Sequence, residues 1–277
     1  MILIDNNQLV VASLFQASKS DGGVTEDLVR HMLLNMYRMY RTKFHNKYGE
    51  IVICNDGRNY WRNDVFSYYK ANRKKQRKTS SIDWDGFYKI MDVIKNEVIN
   101  HLPYKNIQVN DAEADDIIAI ISKHNHINEK ILIVSSDKDF QQLQRYSNVY
   151  QYSPIKKNFL ICEDPENFLL EHIIKGDSSD GVPNILSDDD VFVQEDKRQK
   201  PCGKKKISSV KSELSEWTGT DNWNRNQLLI DMNMIPEGVE RTILEEYKKE
   251  PLGNRRNILN YFIQNKLKIL MECIDEF

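Results

Sequence analysis

Three runs of unbroken apolar residues recur along the chain: ILID (2–5), IVICND (51–56) and ILIVSSD (131–137). Continuous apolarity, as opposed to alternation, is the pattern of parallel strands covered on both faces. Between these runs the apolar positions take helical spacing. After Thr25, an N-cap followed by Glu26 and Asp27, they fall at Leu28, Met32, Leu33, Met36, Met39 and Tyr40. A second helix carries Phe87, Ile90, Met91, Ile94 and Val98 on one face and ends before Pro103. A third starts near Ala112 and buries Ile117, Ile118 and Ile121. Strand, helix, strand, helix, strand predicts an α/β fold with a mostly parallel central sheet flanked by helices. Past about Lys157 the pattern changes, with helical stretches predicted at about 165–175, 206–217, 236–249 and 254–273. The polar segment 177–205, punctuated by Pro and Gly, predicts a loop-rich and partly mobile insertion. The expected organisation is an α/β domain over 1–183 and a smaller all-helical C-terminal region over 184–277.

Composition narrows the class. Hydrophobic residues make up 40% of the 277 positions, enough for a packed core. No apolar run approaches the roughly 18 residues needed to cross a bilayer. The opening MILIDNN lacks the basic region of a signal peptide. Cys54, Cys162, Cys202 and Cys273 are scattered, with no close pair for zinc or a disulfide framework. A reducing, cytoplasmic setting without membrane association is expected. The net charge of −2 conceals segregation. Between Arg58 and Lys78 stand eight basic residues against one acid, Asp64, and between Lys197 and Lys211 seven against none. A polyanion responds to such local patches, not to the sum.

The acids carry the clearest chemistry. Each predicted strand ends in an aspartate, Asp5, Asp56 and Asp137, and carboxyl ends of parallel strands line the crevice where ligands bind. Asp139 follows Asp137 by two residues. The third helix opens with Glu113, Asp115 and Asp116, and a tight turn carries Asp177 and Asp180. One strand-end aspartate is commonly a turn residue or cap, and acids in a first helical turn simply meet the helix dipole. Nine together would repel one another strongly without counterions. An all-oxygen set of this density suits two Mg²⁺ ions, with Mn²⁺ as a substitute. Two such ions about 4 Å apart activate a water and stabilise the leaving oxygen of a phosphodiester. Zinc is disfavoured because the six histidines (His31, His45, His101, His124, His126, His172) read as ordinary helix-face and loop residues. Asp116 is the member least tied to the set, as a helix-surface or supporting acid.

The basic stretches follow. On a helix, Arg62, Phe66, Tyr69, Arg73 and Arg77 share a face, with Lys70 beside them. Cations interleaved with aromatics grip phosphates and stack on unpaired bases. The plainer alternative is a solvated helix with Tyr60, Trp61 and Phe66 in a small core. Nucleic-acid contacts are expected from Arg58, Tyr69, Arg73, Lys74, Lys75 and Arg77. A second set, Lys204, Lys205 and Lys206, opens a helix whose N-terminus suits a duplex phosphate, or else forms a solvated loop.

In order, Asp5, Asp56, YWR…YYK…R, EADD (113–116), SSDKDF (135–140) and KGDSSDGVP (175–183) resemble the flap endonuclease / 5′ nuclease superfamily. Within it the chain is similar, nearly end to end, to the ribonuclease H branch of T-even bacteriophages. That resemblance implies a PIN-like core, a helical arch at about 58–82, and an extended helix–hairpin–helix DNA-binding element after Asp180. It implies 5′→3′ exonuclease, flap endonuclease and ribonuclease H activity, removing RNA primers and adjacent DNA from lagging-strand fragments in phage-type replication. By family position Asp5, Asp56, Asp115 and Asp137 hold the first metal. Asp139, Asp177 and Asp180 hold the second, mostly through water, with Glu113 and Asp116 in support. Arg62 and Lys70 are the implied catalytic cations that position the scissile phosphate, and Tyr69 stacks on a base. The implied partners are branched, flap or nicked DNA, RNA–DNA hybrids and a single-stranded-DNA-binding protein, for a monomer in a bacterial host's cytoplasm. After Pro183 the sequence NILSDDDVFVQEDKRQKPCGKKK stands where the family usually has Gly-Ile-Gly, so the hairpin is lengthened. No N-terminal clamp-binding peptide is expected. Two rivals remain at this point: a catalytically inactive, structure-specific DNA-binding protein, and a PIN-like endoribonuclease acting on structured RNA.

Overall fold

The computed structural model describes residues 1–19, 23–73 and 83–277. One sheet is formed by β1 (Ile2–Asp5), β2 (Ile51–Asn55), β3 (Lys105–Gln108), β4 (Ile131–Val134), β5 (Val149–Ser153) and β6 (Asn158–Leu160). Its order is β3-β2-β1-β4-β5-β6, and every pairing is parallel except β5 with β6. The unbroken apolar runs have a direct cause. In β1, Ile2 and Ile4 enter one core while Leu3 enters the other; in β4, Leu132 and Val134 oppose Ile131 and Ile133 in the same way.

On one face lie α1 (Asn6–Ala17), α2 (Glu26–Tyr48) and, after the short α3 (Trp61–Val65), α4 (Trp84–His101). The other face is covered by α5 (Ala114–Asn125) and a 3₁₀ helix over Lys138–Arg145. The chain continues through α6 (Pro165–Lys175), α7 (Lys204–Ser212), α8 (Leu214–Trp217), α9 (Asp221–Ile230), α10 (Glu237–Tyr247), α11 (Arg255–Gln264) and α12 (Lys268–Met271). These later helices join all three cores. Ile243 of α10 packs with α5, Tyr261 and Phe262 of α11 pack with α2 and α4, and α6, α7 and α9 surround Phe66 and Tyr69.

The predicted elements form with local differences. The stretch 254–273 divides where Lys266 takes a left-handed φ of 54°. The stretch 206–217 starts earlier, at Lys204, and divides at Glu213. The basic segment is not one continuous helix: α3 stops at Val65, Phe66 is extended at φ −138°, and Lys70 is left-handed at φ 55°. Arg62, Phe66, Tyr69 and Arg73 therefore do not share a helical face. The segment 184–203, expected to be loosely held, lacks helix and strand but is pinned by side-chain amides. Asn222 donates to the carbonyls of Ile185 (2.9 Å) and Ser187 (3.2 Å), and Asn226 fastens the residue just before the segment by donating to Pro183 O at 2.8 Å. Asn184 donates its own amide to Lys200 O at 2.8 Å. Buried backbone carbonyls are satisfied this way in place of a regular ladder.

Candidate metal centre

Strand order reverses between β1 and β4, and the crevice at such a reversal lies outside the carboxyl ends of the strands. Asp5 ends β1 there and caps α1. Its Oδ1 accepts from Gln8 N–H at 3.3 Å and its Oδ2 from the Ser135 hydroxyl at 2.9 Å. Asp56 follows β2, and its Oδ1 accepts the N–H of Ala114 at 2.8 Å, tying that strand end to the start of α5. The next residue must be glycine: a Cβ on Gly57 would meet the Val109 carbonyl oxygen at 2.1 Å. Asp137 caps the 3₁₀ helix by accepting the N–H of Asp139 at 3.0 Å. Gln151 braces this strand end, donating to the carbonyls of Ser135 (3.0 Å) and Asp137 (2.6 Å).

The electrostatics show that these acids converge. Burial raises the Asp5 carboxyl from 3.8 to about 7, and repulsion from Asp56 adds to it. Burial, then Asp137, Asp5 and Glu113, pushes Asp115 well above its ordinary value. Asp56 is raised by burial, although the Ala114 N–H opposes the shift. Asp139 is raised to about 7 by burial and then by Asp137. Burial likewise acts on Glu113, but Lys70 and Arg62 outweigh it and hold that carboxyl below its ordinary value. Beside Asp139, burial of Asp177 is outweighed by hydrogen bonds from His172, Lys138 and Ser179, which hold it well below the carboxylate range.

Several expected site residues lie elsewhere than in the open cleft. Arg62 is a buried structural cation, 4% exposed, not a phosphate contact. Its guanidinium meets Asp116 at 2.8 Å and Glu113 at 3.3 Å, and its Nε donates to Leu229 O at 3.0 Å. Asp116 is fully buried as the partner of Arg62 and accepts also from the Trp61 indole (3.2 Å) and the Glu113 N–H (3.0 Å), so it belongs to this ion pair and not to the metal-facing set. Tyr69 cannot stack on a base in this conformation. It is buried, and its hydroxyl lies 2.7 Å from Glu113 and 3.1 Å from Asp180. Lys70 does reach the cleft, paired with Glu113 and lying 3.6 Å from Asp180. Its backbone N–H donates to Asp180 O at 2.7 Å, so the base of the basic segment is fastened to the 177–181 turn. Gly181, at φ 74°, permits this contact, because a Cβ there would stand 2.9 Å from Tyr68 O. Arg73 pairs with Asp180 from a half-exposed position, and Arg58, Lys204, Lys205 and Lys206 are exposed. Lys74, Lys75 and Arg77 lie outside the described residues.

One neighbour was not expected. His172, read from sequence as an ordinary helix residue, is buried among the acids, 3.1 Å from Asp177 and 3.6 Å from Asp139. One ligand atom from each of Asp139, His172 and Asp177 lies within 4.8 Å of the others. A nitrogen donor therefore accompanies the oxygens, which removes the ground on which nitrogen-preferring ions were disfavoured. Its only trace in the sequence is the five-residue step to Asp177 across the end of α6. The cluster fits divalent ions on its own chemistry, because buried carboxylates at this density require cationic charge.

A family model for the 5′-3′ exonuclease N-terminal, resolvase-like domain matches residues 1–169, and one for the T4 RNase H C-terminal region matches 164–277. Ribonuclease H of Enterobacteria phage T4 is 31% identical, over 99% of this chain and 95% of its own length. Flap endonuclease Xni of Shewanella halifaxensis is 26% identical over 52% of this chain and 56% of its own. Among solved structures, the phage T5 D15 protein co-crystallised with metal ions covers 89% of this chain and 99% of its own at TM-score 0.62 and 16% identity. The T5 D15 flap endonuclease in a pseudo-enzyme–product complex with DNA and metal ions gives TM-score 0.63 at 15% identity, over 90% and 99%. At these identities the two structures speak for the fold.

Proposed function

The chain belongs to the 5′-3′ exonuclease family, a phosphodiesterase by that membership, and from this premise we propose that it uses two Mg²⁺ ions to cut 5′ ends and flaps of DNA and RNA–DNA strands. The observation that carries this reading is the set Asp5, Asp56, Asp115 and Asp137, gathered at three strand ends and one helix start. Burial and repulsion raise the first three above their ordinary values. These four would hold the first ion, and the Asp139 side of the cleft the second. The ions, when bound, supply an activated water and stabilise the leaving oxygen. Mn²⁺ is the expected substitute.

The chain's own groups do the rest. Lys70 stands beside the acids as the cation nearest an incoming phosphate, held there by its left-handed turn and its bond to Asp180. Arg62 acts at one remove, fixing Glu113 and Asp116 so that α5 presents Asp115 to the cleft. Arg73 borders the same opening through its pair with Asp180, and exposed Arg58 would add a phosphate contact, while Lys204, Lys205 and Lys206 at the start of α7 offer a separate phosphate contact for duplex. Primer removal during phage-type replication, a single-stranded-DNA-binding partner, a monomeric state and a host cytoplasmic setting rest on the likeness to the T4 enzyme alone.

The test uses a 5′-labelled flap and a nicked RNA–DNA hybrid, with Mg²⁺ or EDTA, for wild type and Asp137→Asn. Metal-dependent cleavage that is lost in the variant, with DNA binding retained, is expected. A folded wild type that binds these substrates in Mg²⁺ without cutting them would instead be a structure-specific binding protein.

A further inference from the structure

The surroundings of His172 ask for a ligand. Helix α6 begins with Asp164 as its cap and Pro165 in its first turn, and buries Leu169, His172, Ile173 and Ile174, which turns the imidazole inward against the 3₁₀ helix that carries Asp139. Its Nε2 lies 3.1 Å from Asp177 Oδ2. Asp177 has little capacity left. Its Oδ1 accepts from the N–H (2.8 Å) and hydroxyl (2.5 Å) of Ser179, and its Oδ2 also meets Lys138 at 2.8 Å. A carboxylate so engaged orients its imidazole by accepting the Nε2 proton, which leaves a lone pair on Nδ1.

That lone pair faces Asp139 Oδ1 at 3.6 Å, too far for a hydrogen bond. Both atoms are buried, and neither has a hydrogen-bond partner among the described residues. Leaving two acceptors unsatisfied side by side is costly, and a cation between them removes the cost. Ligand atoms at about 2.0–2.2 Å from a shared ion stand roughly 3–4 Å apart.

We propose that His172 Nδ1 is a direct ligand, together with Asp139, of the second divalent ion, and that Asp177 serves by orienting the imidazole. This rests on the metal-dependent reading and changes its expected selectivity. A nitrogen donor raises affinity for Mn²⁺ and later transition ions over Mg²⁺, which prefers oxygen and water.

Mn²⁺ itself is the probe. With one and then two equivalents bound, electron spin-echo modulation from a directly coordinated ¹⁴N is expected in the wild-type protein and is absent from His172→Gln. The variant should also bind its second Mn²⁺ about tenfold or more weakly by calorimetry. A wild-type protein with two Mn²⁺ ions bound and no ¹⁴N modulation overturns the assignment, and that result needs no variant to fold. In that case His172 serves only as a hydrogen-bond partner of Asp177. Mg²⁺-dependent flap cleavage by the same preparation separates this failure from failure of the nuclease reading. Absence of any Mn²⁺ binding overturns both.

Discussion

The two banks of the cleft carry their negative charge in opposite ways. On the strand-end bank, Asp5, Asp56 and Asp115 are raised by burial and by neighbouring acids, with Lys70 as the nearby cation. On the facing bank Asp177 is held low by His172, Lys138 and Ser179, and Asp180 meets Arg73, Tyr69 and Lys70. The first bank is incomplete without charge from outside; the second brings most of its compensation in its own chain. Carboxylates kept ready for a cation cost stability while they wait. Beneath both banks Arg62 supplies internal compensation where no metal is needed, pairing Glu113 and Asp116 in a buried ion pair.

That division predicts where substitution should hurt folding most. Arg62→Met leaves Glu113 and Asp116 buried without their guanidinium, and loss of one partner of a buried pair costs about 3–5 kcal/mol. Urea unfolding in Mg²⁺ should show it, and a wild-type midpoint would mean that Arg62 is not the support it looks to be. A smaller effect is expected from pH in the metal-free protein. The carboxyls of Asp5 and Asp139 bind protons up to about pH 7 in the folded state, against an ordinary value of 3.8. Between about pH 4 and 7 the folded protein thus holds protons that the unfolded chain has released, and stability falls as pH rises through that window. Melting in EDTA from pH 5 to 8 should show Tm declining and then levelling, with Mg²⁺ restoring it at the upper end. A Tm that climbs from pH 5 to 7 in EDTA would contradict these raised carboxyls.

The smallest effect belongs outside the cleft. Replacing Lys204, Lys205 and Lys206 together by Ala should weaken duplex binding and lower its salt dependence by up to about three units of slope. Cleavage of substrate already bound should be unchanged. Anisotropy titrations across a salt series would read this, and an unaltered slope would mean that these lysines are merely solvated.

Much of the strand-end bank was legible in the sequence, because burial on both faces leaves an unbroken apolar run and the run stops at an acid. Asp5, Asp56 and Asp137 announce themselves in that way. β3, reading KNIQ at the sheet edge, buries one of its four residues and offers no such signal. α1 begins at Asn6 with no break after β1, so its start is masked by the strand. The facing bank and its supports were harder to read. Helical spacing groups Arg62 with Tyr69 and Arg73, but the chain turns at Phe66 and again at Lys70, which sends Arg62 and Tyr69 inward. His172 follows Glu171 and precedes Ile173 on an ordinary-looking helix, and only the fold brings it to Asp139, which lies on a different element.

The most direct test of the contrast is to neutralise one acid on each bank and melt the proteins in EDTA and in Mg²⁺ near pH 8. Asp115→Asn removes a repelled charge and should melt above wild type in EDTA while losing most of the Mg²⁺-induced rise. Asp177→Asn removes a compensated charge and should melt below wild type in EDTA. An Asp115→Asn protein that melts lower than wild type in EDTA, or keeps the full Mg²⁺-induced rise, would contradict a strand-end bank held in repulsion to receive metal.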